Sequence, residues 1–599
     1  MKNLFTLAFI FIFSCLCAQN VAPDWVINSQ TIPSFVDFSP SDKFLVLESE
    51  TGYEVWNTQT KSLVLKGNYR NKVGHYYPNA FLTEGSAYLL FEQEHIFLQI
   101  DYTLNQAKVK AYDLNTKEIA WEISNLDIGV STAEAVFQLM GALNRASKDK
   151  GAMEEASGNY LSGQALSKMT GKSVSPIART GRGNYFSYIG NDKTINKLIT
   201  YLPEKNAIAV NGKDGLQLLN LKNGKIIWNQ PDLAGGIGEV FYEAQNNLLI
   251  AVRVNQTEFQ NLKGAPEVQA LEVETGNLKW NLKYYGDFLP ETAFVIDETL
   301  VLPYFGLTLI NIKTGEERGG EVTQAMKRQR KVYRNMSILG AGGEDDRRLG
   351  DNCSYPILDD NDVLHYVVGM QGGSHINPDG SKKSYLQIDI HKDKILLNEE
   401  KIAKQGNRVI QEEMLDGMLY VKLTKGLSSS YLMGIDTKTG RVIFETDKVS
   451  NRLGTDFDYF LIENGRIVDA SSKGIHTYDA KTGKEISVIS YKDINVGKFR
   501  NQLIFDHGLI LFGTKGVAIT DDNGNTKATF DEIGRILDFR IGDEIWLVEK
   551  KRFIRLSTQP IEVIEEIPFR KREMVFFSPS GSYFVRMDET GRNLGMYGM

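Results

Sequence analysis

The groups best able to do chemistry in this chain are one isolated thiol, two acidic runs, seven histidines and one basic run. Cys353 stands far from Cys15 and Cys17, the other two cysteines. A reactive thiolate needs a neighbouring base or cation. No histidine motif accompanies Cys353, so an inert buried thiol is the simpler reading. The acidic runs "LDDNDV" (358–363) and "DDNGN" (521–525) lack the spaced ligands and distal bidentate Glu of a calcium loop. The histidines form no H-x-H or H-E-x-x-H pattern and have no paired cysteines beside them. "GGSHINPDG" around His375 reads as a long loop. There is no G-x-S-x-G, P-loop or dinucleotide fingerprint. "MKRQRKVYR" gathers Lys327, Arg328, Arg330, Lys331 and Arg334, but Glu344, Asp345 and Asp346 follow closely. A solvated charge run is favoured there over a nucleic-acid site. The motifs therefore assign no catalytic, cofactor-binding or metal-ligating residue.

Bulk properties narrow the classes further. A net charge of −7 over 599 residues creates no field that would draw the whole molecule to nucleic acid or anionic lipid. The start, "MKNLFTLAFIFIFSCLCAQN", has Lys2, an apolar run from Leu4 to Phe13, then small or polar residues. That pattern predicts a signal peptide over 1–18, cut after Ala18. The competing reading, a lipid on Cys15 or Cys17, is weakened by the bulk of Phe13 beside the cut. Removal of 1–18 leaves Cys353 alone, so no intramolecular disulfide forms. No later stretch is long and apolar enough for a membrane helix. The expectation is an exported protein, periplasmic or extracellular, with envelope association left open.

The elements that would position any site come from a repeat. "IDTKTGRVIFE" turns at Gly440, "YDAKTGKEIS" at Gly483, "LNLKNGKIIW" at Gly224, "LEVETGNLKW" at Gly276 and "INIKTGEERG" at Gly315. Weaker copies carry Lys61, Lys117 or Asp393 in the Gly slot, and others fall at Gly524 and near Pro560. Asp113, Asp436 and Asp479 lie four residues before the slot, where a carboxylate can bond the turn's own N–H groups. Gly supplies the positive φ of a hairpin bulge. Four residues after the slot stand Trp121, Trp228, Trp280 and Phe444, with Leu65 and Leu397 in weaker copies. Three of the six tryptophans thus share one repeat position, as anchors between neighbouring sheets would.

Segments such as "NKLITYLPEKNAIAVNGKDGLQLLNLKNGKIIWNQ" read as four short strands. Four antiparallel strands per period of about 40 residues predict β-propeller blades. The fold class is then all-β, with up to about eleven repeats. That number exceeds one ordinary ring and favours two propellers, 19–320 and 321–599, with the period broken around 318–352. "FSPSGSYFVRMDETGRNLGMY" from Phe577 repeats "FSPSDKFLVLESETGYEVWN" from Phe38 but stops before a last strand. Residues near 24–30, with Trp25 as anchor, are expected to complete that final blade. Between Trp121 and the next clear blade, Ser131 and Glu134 form a capping box, and Val136, Leu139, Met140 and Leu143 share a helical face. A helical insertion over about 131–172 is expected, either lying over the channel or touching a partner, or packed as a cap on its own blade.

The D-x-x-T-G-K turn followed by an aromatic resembles the repeats of quinoprotein-type, PQQ-like propellers. The stretch from Phe38 to Asn57 resembles a WD-repeat blade. The resemblance implies the fold over nearly the whole mature chain, but not an activity. It raises a PQQ-dependent dehydrogenase-like enzyme as the alternative, with PQQ and Ca²⁺ on the propeller axis. The adjacent cysteines often found in that family are missing, and no Asp matches its base. The favoured expectation is a non-catalytic exported scaffold without cofactor, binding a protein or glycan partner in the cell envelope through loops or insertions.

Overall fold

The computed structural model describes residues 23–70, 84–126, 188–190, 199–253, 267–303, 307–324, 357–369, 382–425, 429–450, 460–470, 474–531, 539–568 and 574–598, apart from single residues and short connections inside these ranges. The expected signal peptide, the helical insertion, the basic run, Cys353 and His375 lie outside the described residues.

The described chain is all-β. It folds as a β-propeller of antiparallel blades, and eleven sheets are seen among the described residues. In chain order the blades span 35–68 (blade 1), 84–126 (blade 2), 199–230 (blade 3), 237–283 (blade 4), 294–317 (blade 5), 357–404 (blade 6), 409–445 (blade 7), 460–490 (blade 8), 499–531 (blade 9) and 539–568 (blade 10). Blade 11 joins three C-terminal strands to Trp25–Asn28, which pairs antiparallel with Asn593–Gly598. Strand order follows sequence order within blades 1 to 10, as four-strand meanders require. Blade 2 carries an extra strand, Tyr188–Gly190, on its first strand. Blade 5 has three strands, and its fourth is reduced to a bridge between Ile310 and Glu317.

Burial explains why these sequences sit where they do. Inner strands face a neighbouring blade on both sides, so Phe44–Ser49 and Ala207–Asn211 are buried at every residue. Fourth strands form the rim and alternate, as in Ile226–Gln230, where only Trp228 is buried. The apolar core is therefore a series of layers between consecutive blades. Blades 2 and 3 share one layer around Leu98, Trp121 and Ile208. Blades 3 and 4 share the next around Leu218 and Trp228, and blades 4 and 5 the next around Ile250 and Trp280. Blades 5 and 6, on either side of residue 320, likewise share Leu309, Val322, Leu364 and Ile388.

The repeated turn has one local structure. In the third-to-fourth hairpin of blade 7, Gly440 N–H bonds Asp436 O at 2.8 Å and Asp436 N–H bonds Arg441 O at 3.0 Å. A register shift follows between Gly434 and Ile435. The same shift recurs in blades 3, 4 and 8. Gly440 has φ 74°, and the weaker copies keep the left-handed conformation without Gly: Lys61 at 52°, Lys117 at 65°, Asp393 at 51°. The slot selects a backbone shape, and Gly is merely its cheapest occupant.

Candidate functional site

The conspicuous acids of the repeat are committed to the backbone. Asp436 Oδ1 accepts from Thr439 N–H at 2.8 Å, and Asp479 Oδ1 from Thr482 N–H at 2.8 Å and Thr482 Oγ1 at 2.7 Å. Asp113 accepts from Asn115 N–H at 2.7 Å. The Thr439 N–H holds Asp436 below the ordinary carboxylate range, and the Thr482 hydroxyl and N–H do the same for Asp479. These groups shape turns and are spent on them.

The aromatic slot is a blade-to-blade anchor with a polar tip. Trp121 Nε1–H donates to Leu221 O at 2.8 Å, Trp228 to Val273 O at 2.7 Å and Trp280 to Ile312 O at 2.7 Å. Each acceptor lies three residues before the Gly of the following blade's turn. That Gly lies flat against the ring: a Cβ on Gly276 would fall 2.5 Å from Trp228 Cδ2. Phe444 packs under Gly483, and Leu397 under Gly440, in the same way.

The acidic runs are also occupied locally. Asp521 Oδ1 accepts from Asn525 N–H at 2.8 Å, and its other oxygen pairs with Lys527 at 2.9 Å. Asp359 Oδ1 accepts from Asn361 N–H at 2.8 Å and Val363 N–H at 2.9 Å. Asp362 lies 3.0 Å from His391, whose other ring nitrogen is 3.3 Å from Asp297 of blade 5. Among the described residues no three His, Cys, Asp or Glu side chains are grouped to hold a metal ion. No described helix is long and apolar enough to cross a membrane.

Two buried polar groupings were not anticipated. Lys422 of blade 7 and Asp469 of blade 8, both fully buried, pair at 2.5 Å between the blades. Burial pushes Asp469 up, against the pull of Lys422. In blade 6, His365 Nδ1 is 2.7 Å from Tyr385 Oη and Nε2 is 3.3 Å from Asp359 Oδ2. Gln387 Nε2 donates to Tyr385 Oη at 3.0 Å and to Thr437 O of blade 7. Their only signal in sequence is a polar letter inside an apolar strand, as in "VLHYVV" and "LYVKLT".

Topology separates the two ends of the blades. First-to-second and third-to-fourth connections share one end, tied by bonds such as Thr437 N–H to Gly417 O at 2.9 Å and Leu221 N–H to Asn206 O at 2.8 Å. Second-to-third connections and those from a fourth strand to the next blade start at the other end, whereas the segment after Glu317 starts at the turn end, where Gly320 N–H donates to Asp393 Oδ2 at 2.7 Å and Val322 N–H to Asp393 O at 3.4 Å. Long stretches of sequence follow Asn68 and Leu126, which end fourth strands, and Arg253 and Gly369, which end second strands.

A protein-family model described as outer membrane protein assembly factor BamB matches residues 107–446. No curated protein sequence matches the chain significantly. Among solved structures, BamB from Moraxella catarrhalis is similar at 14% identity, covering 61% of this chain and 94% of that one, with a TM-score of 0.28. Dihydro-heme d1 dehydrogenase NirN in complex with DHE is similar at 11% identity, covering 61% and 74%, with a TM-score of 0.28. A eukaryotic initiation factor structure is similar at 12% identity, covering 67% and 88%, with a TM-score of 0.32.

Proposed function

Because the chain belongs to the family of PQQ-like propeller-repeat proteins described by outer membrane protein assembly factor BamB, we propose that it is a non-catalytic scaffold that holds a protein partner at the cell envelope. The observation that carries this reading is that the fourth strands ending at Asn68 and Leu126 and the second strands ending at Arg253 and Gly369 all open into long connections at the same end of their blades. Rigid radial sheets hold one end constant, while the other end presents variable loops on which binding residues gather. The repeat acids and aromatics are used up in turns and anchors, which leaves recognition to those loops. Export through the 1–18 leader, to the periplasm or outside, is part of the same proposal, and a glycan is the second partner class.

The test compares the full chain with a variant lacking 131–172 in capture from an envelope extract. The reading expects partner bands that the deletion removes while the thermal midpoint stays unchanged. An unchanged partner set would remove the insertion from the proposed face. Incubation with PQQ and Ca²⁺ addresses catalysis: a saturable absorbance and stability shift would overturn the scaffold reading in favour of a dehydrogenase-like enzyme.

A further inference from the structure

We propose that Asp359, His365, Tyr385 and Gln387 form an acid-sensitive catch between blade 6 and the third-to-fourth turn of blade 7. The direction of each hydrogen bond follows from its neighbours. Asp359 is a pure acceptor, so the His365 nitrogen facing it, Nε2, carries a hydrogen. In a neutral ring Nδ1 is then bare and accepts the Tyr385 hydroxyl at 2.7 Å. Tyr385 Oη in turn accepts from Gln387 Nε2, whose second hydrogen reaches Thr437 O. Every hydrogen in the chain has an acceptor, and every link depends on a neutral histidine.

Adding a proton at Nδ1 breaks this order. The ring would then donate to Tyr385 Oη from one side while Gln387 donates from the other. The hydroxyl hydrogen would be left without an acceptor in a buried site, where His365 and Tyr385 are almost wholly covered. An acceptor is restored when the Gln387 amide turns to present Oε1 to the hydroxyl, which takes Nε2 away from Thr437 O. Thr437 anchors the blade 7 turn through its N–H and hydroxyl on Gly417 O.

The titratable groups facing His365 are Asp359 from the preceding turn and Tyr385 from the adjacent strand. Asp436 of blade 7 reaches Tyr385 and lies beside Lys438. Burial lowers the His365 basicity and outweighs the pull of Asp359. Burial pushes Tyr385 up to about 12, so the phenol keeps its hydrogen. The group is neutral in the folded state. Its contribution is present above the unfolded histidine value near 6.5 and is lost as pH falls below it.

The test is hydrogen exchange of the full chain at pH 7.5 and 5.5, corrected for intrinsic rates, read on peptides covering Thr437–Gly440. The blade 3 turn at Leu221–Gly224, which has no such histidine, is the internal control. Opening of the blade 7 turn should increase by up to about tenfold per pH unit relative to the control. His365→Gln keeps a donor for Asp359 and an acceptor for Tyr385 but cannot titrate, and should flatten the response. Tyr385→Phe removes the hydroxyl that protonation strands and should flatten it too, which covers the case in which the glutamine variant does not fold. Equal pH responses of the two turns in the unaltered chain would overturn the proposal. So would a response that persists in a folded variant.

Discussion

Replacing Trp228 should cost stability in two separable amounts. An aromatic side chain of this size buries about 150–250 Å², which at about 25 cal/mol/Å² corresponds to about 4–6 kcal/mol. Alanine keeps part of that area, and large-to-small core changes at aromatic positions measure about 3–5 kcal/mol. We therefore expect about 3–5 kcal/mol for Trp228→Ala. Trp228→Phe keeps most of the ring over Gly276 but loses the 2.7 Å bond to Val273 O, leaving a buried carbonyl unpaired. That alone should cost about 1–3 kcal/mol. The exposed neighbour Ile227 is the control, because truncating it should stay within about 0.5 kcal/mol. The measurement is denaturant unfolding for the magnitude and hydrogen exchange for location. The loss should be concentrated in blades 3 and 4, which share the Trp228 layer. An alanine variant no weaker than the Ile227 control would refute the anchor assignment. Damage spread evenly through all blades would refute the layered account of the core.

Two further outcomes follow from the same geometry. Lys117 holds φ 65° in the glycine slot. Lys117→Gly should raise stability by about 0.5–1 kcal/mol by relieving left-handed strain, and a lower melting midpoint would count against the turn argument. Lys422→Met alone should cost about 3–5 kcal/mol because it strands Asp469 in the core, whereas Lys422→Met with Asp469→Leu should recover most of that loss. A double variant as weak as the single one would show that the pair does more than neutralise itself.

Local physics made most of the scaffold legible. The turn acid and the left-handed slot are satisfied within five residues, so spacing alone located each hairpin. Even Lys61 and Asp393, poor matches by letter, adopt the positive φ the pattern demanded. The shared Trp position announced a contact between sheets. What it could not announce was the carbonyl that receives the indole N–H, since Val273 belongs to another repeat. Blade 5 shows the converse. Its anchor slot is Gly319, and the chain leaves the rim after Glu317, so a good turn was followed by almost no strand. The buried Lys422, Asp469 and His365 were opaque for a related reason. A charged letter inside a strand looks like an exposed face until a partner from a different blade or turn is placed opposite it. The candidate face was legible only as lengths between strands.

The pairing of Trp25–Asn28 with the last strand sets a timetable. Gly598 N–H bonds the Asp24 carboxylate across 574 positions of sequence. At about 5–20 residues per second, the early strand waits roughly half a minute to two minutes before its mate is synthesised. Until that mate is present, the backbone groups of Trp25–Asn28 have no strand to pair with. Loss of Asn593–Gly598 would therefore leave Trp25–Asn28 without the strand that closes its blade.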